Sequence, residues 1–183
     1  DNLVNLKSLS LEGRLEKDFN FDLFKNICNQ LEEISIELYD IDNICLAKLF
    51  YGHQFPIMKT FTIYMCLRLT KLEKKLFDRF PMLQSLNIIH NSNLQEINRD
   101  AFSNLKQLTC LDLSSNFYSS SEKINAFDKL DQMLFSSLIN LKYLNLSHNV
   151  LKRFDDNLFS NLPNLRLLDL SRNQLTILDP KSF

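Results

Sequence analysis

The sequence predicts an α/β solenoid: a curved coil with a parallel sheet on its concave face and irregular or short helical segments on its convex face. Three observations predict it. A template of apolar positions recurs seven times, at steps of 25, 27, 25, 25, 33 and 24 residues. An asparagine recurs at one fixed place in the later units, and a phenylalanine recurs at another. Self-similarity at such a period is the signature of stacked units that bury their apolar faces only against one another.

The apolar template is clearest in Leu108-Leu111-Leu113-Asn116, Leu141-Leu144-Leu146-Asn149 and Leu165-Leu168-Leu170-Asn173. Leu83-Leu86-Ile88-Asn91 keeps it with one aliphatic change, and Met58-Phe61-Ile63-Cys66 places cysteine in the asparagine slot. Leu31-Ile34-Ile36-Tyr39 and Leu6-Leu9-Leu11-Arg14 keep the apolar positions and lose the small polar residue. Alternation within each unit is the period-2 pattern of a strand buried on one face. Stacked in parallel, such strands form one sheet.

The fixed asparagine follows the strand where the backbone turns away, and its amide can satisfy groups the turn would bury unpaired. Cys66, Asn91, Asn116, Asn149 and Asn173 therefore form an expected ladder, with Cys66 a buried structural thiol. The first two units, which lack this residue, are expected to be less regular. Phe77, Phe102, Phe135 and Phe159 lie six residues before the next unit and Phe24 lies seven before, an expected aromatic spine. Phe183 sits ten residues after Asn173, as Phe159 does after Asn149. The expected organisation of residues 1–183 is thus a single domain of about seven units plus the start of an eighth, truncated at both ends.

The 33-residue step implies an insertion at about 117–134, and Ser119-Ser120-Ser121-Glu122 followed by Ile124, Phe127, Leu130 and Leu134 predicts a short amphipathic helix over 121–134. Its apolar stripe either packs on the scaffold or meets a partner laterally.

Of 183 residues, 45% are apolar and 23% charged, as in an ordinary folded domain, with two glycines and four prolines and hence no flexible linker. The 21 basic and 22 acidic residues nearly cancel, so neither nucleic acid nor direct membrane contact is expected of this segment. No apolar run is long enough for a membrane span. No nucleotide-binding, hydrolase or zinc-protease motif occurs, and His53, His90 and His148 lack metal-ligand spacing, so neither catalysis nor a cofactor is expected.

The phrases Leu111-Asp112-Leu113-Ser114-Ser115-Asn116, Leu144-Asn145-Leu146-Ser147-His148-Asn149 and Leu168-Asp169-Leu170-Ser171-Arg172-Asn173, each with a phenylalanine spine, resemble extracellular "typical" leucine-rich repeats. Toll and Toll-like receptor ectodomains are the most similar group, with chaoptin-like adhesion and slit-like guidance proteins as close alternatives. The resemblance implies a horseshoe solenoid, non-catalytic ligand recognition or adhesion, and a place outside the plasma membrane within a longer single-pass protein. The partners it implies are a protein ligand or co-receptor, a glycan or a lipid, and a second receptor copy. An intracellular repeat scaffold is the alternative; it suits four cysteines with no evident pairing.

The residues flanking the buried strand positions face the concave side. Glu12 and Glu37 share one column there, with Glu33 nearby, which reads either as a patch for a basic ligand or as a solvated acidic face. Thr60, Thr62, Tyr64, Asn87 and Ile89 form the least repetitive stretch, where an aromatic beside an aliphatic suits a binding hot spot. Asp112, Asn145 and Asp169 share a column and read as structural. Asn145-Leu146-Ser147 is the one N-x-[ST] triplet, a glycosylation site if the chain is secreted and otherwise a product of the repeat consensus.

Overall fold

A computed structural model of the chain describes residues 3–14, 20–116, 130–154 and 157–176. Its elements in chain order are β1 (Ser8–Gly13), a 3-10 turn (Phe21–Phe24), β2 (Glu33–Leu38), α1 (Asn43–Leu49), β3 (Thr60–Tyr64), β4 (Lys71–Leu72), β5 (Ser85–Ile89), β6 (Glu96–Ile97), β7 (Cys110–Asp112), β8 (Tyr143–Asn145) and β9 (Leu167–Asp169). Seven strands stack as one sheet in the order β1-β2-β3-β5-β7-β8-β9, while β4 and β6 form a second, two-stranded sheet. Every neighbouring pair in these sheets is parallel.

The register follows the apolar template one unit at a time, from Leu9 opposite Ile34 through Phe61, Leu86, Leu111 and Leu144 to Leu168. A slip of one residue would turn each strand's apolar side chains to water, so the pattern fixes the pairing. Ile34, Phe61, Leu86, Leu111 and Leu144 are fully buried. They belong to one continuous core from Phe24 to Leu162.

Beside the strands runs the polar ladder. Asn91 Oδ1 accepts from the Cys66 backbone N–H at 2.9 Å, Asn116 Oδ1 from Asn91 N–H at 2.8 Å, and Asn149 Oδ1 from Asn116 N–H at 3.0 Å. Each amide nitrogen donates back to a carbonyl of the preceding coil, Asn91 to Ile63, Asn116 to Ile88 and Asn149 to Leu113. These side chains satisfy backbone groups that no sheet bond reaches, which is why they are buried without penalty. Asn173 shifts the pattern, accepting from Leu151 N–H at 3.0 Å.

The residue before each ladder position has positive φ: Met65 at 49°, His90 at 58°, Ser115 at 57°, His148 at 54° and Arg172 at 54°, with Gly13 at 122° before Arg14. A left-handed residue there kinks the chain out of the strand. Leu38, before Tyr39, instead stays in β2.

The strands of the first two units do not show the expected irregularity, although α1 sets the rest of the second unit apart from the others. β1 and β2 are the longest strands, six residues each, pairing as far as Gly13 opposite Leu38. Tyr39 N–H then donates to Gly13 O at 3.0 Å, so the ladder bond is replaced by a backbone bond. Without an inward asparagine, the strands run on.

Phe77, Phe102, Phe135 and Phe159 stack with centroids 5.9, 6.5 and 6.3 Å apart. Phe24 stacks on Phe50 at 5.4 Å, and Phe61 spans from Phe50 to Phe77 at 5.3 and 6.2 Å. Phe183 lies outside the described residues, as do residues 117–129 of the expected insertion and its helix. The described end of that helix, 130–134, is turn and coil rather than helix, with Leu130 and Leu134 buried.

Candidate binding surface

Residues facing away from the core on the seven strands form rows across the sheet. One row pairs Glu12 with Glu37; a second runs Ser10, Ser35, Thr62, Asn87, Asp112, Asn145, Asp169; a third runs Ser8, Glu33, Thr60, Ser85, Cys110, Tyr143, Leu167. Parallel neighbours stand about 4.8 Å apart, so Glu12 and Glu37 are like charges side by side. Glu12 and Glu33 are exposed and Glu37 is half-buried.

Tyr39 completes this corner. Its hydroxyl donates to Glu37 Oε1 at 3.0 Å. That hydrogen bond, then burial, then the negative charges of Glu37 and Glu12 hold the phenol above its ordinary pKa. Ser8 Oγ donates to Glu33 Oε2 at 3.4 Å. Among the described residues no lysine or arginine forms an ion pair with Glu12, Glu33 or Glu37; the pairs formed involve Glu32, Glu73, Glu96 and Asp100.

Glu32, next to Glu33 in sequence, shows the opposite arrangement. Lys59 and Lys7, on the adjacent coils, approach it at 2.5 and 3.3 Å and hold its carboxyl below the usual range. The acidic row thus stands uncompensated beside a row where charges alternate.

Thr60, Thr62, Tyr64, Asn87 and Ile89 are all half-buried. Asn87 Nδ2 donates to Thr62 Oγ1 at 3.1 Å. Tyr64 lies opposite Ile89 in the register, and its ring meets His90 edge-on with centroids 5.3 Å apart. Asp112, Asn145 and Asp169 each accept from the backbone N–H two residues on, at 2.9 Å, and so cap the strand ends. Ser114 and Ser147 are buried by this turn.

Comparison with protein families matches the leucine rich repeat over residues 65–116, 123–175 and 151–183. The chain belongs to the leucine-rich-repeat family. Its fold is similar to that of TLR13 in the TLR13–ssRNA13 complex, with a TM-score of 0.76 and 26% identity over 99% of this chain and 24% of that one. It is also similar to a structure of the Toll–Spatzle complex in Drosophila, with a TM-score of 0.71 and 19% identity over 95% of this chain and 21% of that one. A glycosylated form of that complex gives a TM-score of 0.68 and 20% identity over 97% and 25%. The chain thus spans about a quarter of the length of these relatives. No curated protein matches its sequence significantly.

Within this leucine-rich-repeat surface the structure brings Glu12 and Glu37 together and leaves Glu33 two rows away, four residues before Glu37 on β2. Sequence reasoning missed Tyr39, whose place next to the acidic row was hidden by its reading as a lost ladder residue. Cys110 and Tyr143 lie opposite each other in the third row. Burial raises the pKa of both side chains. All four cysteines are free. No helix among the described residues is long and apolar enough to cross a membrane.

Proposed function

We propose that this leucine-rich-repeat chain is part of the ligand-recognition ectodomain of a Toll-like cell-surface receptor, and that the concave face of its first coils docks a protein ligand carrying basic side chains. Glu12 beside Glu37 carries the reading: like charges in register repel, and a cationic partner converts that repulsion into attraction. Thr60, Thr62, Tyr64, Asn87 and Ile89 extend the site over the next two strands, where Tyr64 and Ile89 supply apolar contact area.

Toll and TLR13 were each solved in complex with another molecule, Spatzle in one case and ssRNA13 in the other. For this chain a protein fits better than a polyanion, because a carboxylate row repels phosphate and the net charge is −1. The leucine-rich-repeat family is generally one of binding modules. The test uses a lysine-rich peptide as probe. It is expected to bind with an affinity that falls with salt, and the triple reversal Glu12→Lys, Glu33→Lys, Glu37→Lys is expected to abolish binding; undiminished binding to the reversed protein would reject the site.

An intracellular scaffold is the second reading, favoured by four unpaired thiols. Surface labelling of intact cells separates the two.

A further inference from the structure

We infer that Asn145 carries an N-linked glycan whose first sugar packs against the ring of Tyr143, so that the concave face of β8 is covered by carbohydrate. The inference rests on the extracellular reading above. The donor is a lipid-diphosphate-linked oligosaccharide: Asn145 Nδ2 bonds to the sugar's anomeric carbon, the lipid diphosphate leaves, and the amide gives up one proton.

Transfer acts on the nascent chain, so the burial of Ser147 in the folded protein is no obstacle; the fold has only to accommodate the product. It does so in three respects. Asn145 Oδ1 accepts from Ser147 N–H at 2.9 Å, which fixes the plane of the amide. Nδ2 donates one hydrogen to Asp112 Oδ2 at 3.0 Å, and a glycosylated amide keeps one hydrogen, so this bond survives. The second Nδ2 hydrogen is the one the sugar replaces, and Asn145 and Tyr143 are both half-exposed on the concave face.

Tyr143 stands two residues before Asn145 on the same strand and therefore on the same face, roughly 7 Å along it. A pyranose presents a face of C–H groups that an aromatic ring can cover. On the neighbouring strands the corresponding pairs are Cys110 with Asp112 and Leu167 with Asp169, so aromatic and acceptor amide coincide on β8 alone.

Trypsin cleaves after Lys142 and Lys152, so mass spectrometry of the protein from its own cells reads the site in the peptide 143–152. That peptide is expected to carry a glycan, lost in Ser147→Ala and kept in Ser147→Thr. Removing the glycan enzymatically is expected to lower the melting temperature, and Tyr143→Ala to erase that difference. A bare peptide from protein that labels at the cell surface would overturn the inference and leave the receptor reading standing. Protein that never reaches the surface would overturn both. A glycan whose removal leaves the melting temperature unchanged would overturn the packing on Tyr143.

Discussion

Cys66 Sγ donates toward the carbonyls of Ile36 and Tyr64, at 3.7 and 3.5 Å, in the two places that Asn91 Nδ2 reaches one coil later at Ile63 and Ile89. The thiol reproduces the donor half of the ladder residue and omits the acceptor half. None is needed, because Tyr39 N–H is already bonded to Gly13 O.

Restoring the consensus at this position should therefore destabilise. Cys66→Asn brings a buried amide oxygen to a coil whose matching donor, Tyr39 N–H, is already bonded to Gly13 O, and an unsatisfied buried acceptor costs about 1–3 kcal/mol. Urea unfolding is expected to show that loss. A stabilised variant would mean that Tyr39 N–H can leave Gly13.

The same thiol predicts a dependence on pH. Burial pushes the Cys66 thiol up to about 11 from 9.0. The unfolded chain therefore releases this proton at lower pH than the folded one. The contribution is fully present below pH 9.0 and is lost as pH rises to about 11, amounting to roughly 2–3 kcal/mol. Cys66→Ala should flatten this part of the stability curve between those values. In the native protein Cys66 should also be the slowest of the polar-slot and surface thiols to alkylate, behind Cys45 and Cys110.

His148 is exposed, yet its backbone φ of 54° should make it sensitive to substitution. A β-branched residue is a steric outlier in this region, whereas asparagine visits it readily. His148→Val is expected to cost about 1–2 kcal/mol by the strain of a left-handed backbone, and His148→Asn close to nothing. Equal melting temperatures for the two variants would contradict the role given to that turn.

Phe102 lies between Phe77 and Phe135 in the spine, with no exposed surface. Phe102→Ala should destabilise by about 3–5 kcal/mol, as expected for an aromatic core truncation. Calorimetry of the purified protein would show it.

What could be read from the sequence followed what the chain repeats. The strand register, the asparagine slots and the spine from Phe77 to Phe159 are periodic, and period is visible without coordinates. Phe50 was not legible, because it precedes Met58 by eight residues where others precede by six, α1 having replaced the usual turn. Nor was Asn43, whose Oδ1 accepts from Thr70 N–H and Lys71 N–H at 3.0 and 3.1 Å and so ties α1 to the next coil. The left-handed positions just before Cys66 and the ladder asparagines hold methionine, histidine, serine and arginine rather than glycine. At the candidate site the pairing of Glu12 with Glu37 followed from register, while the Tyr39 contact depended on how a strand ends when its ladder residue is missing.

The acidic row remains the part of the surface most open to direct test. Binding of a lysine-rich peptide, measured calorimetrically at low and high salt on wild-type protein and on the Glu12→Lys, Glu33→Lys, Glu37→Lys variant, addresses it. Salt-sensitive binding by the wild type and none by the variant is the predicted result; equal binding by both, or binding indifferent to salt, would contradict the account.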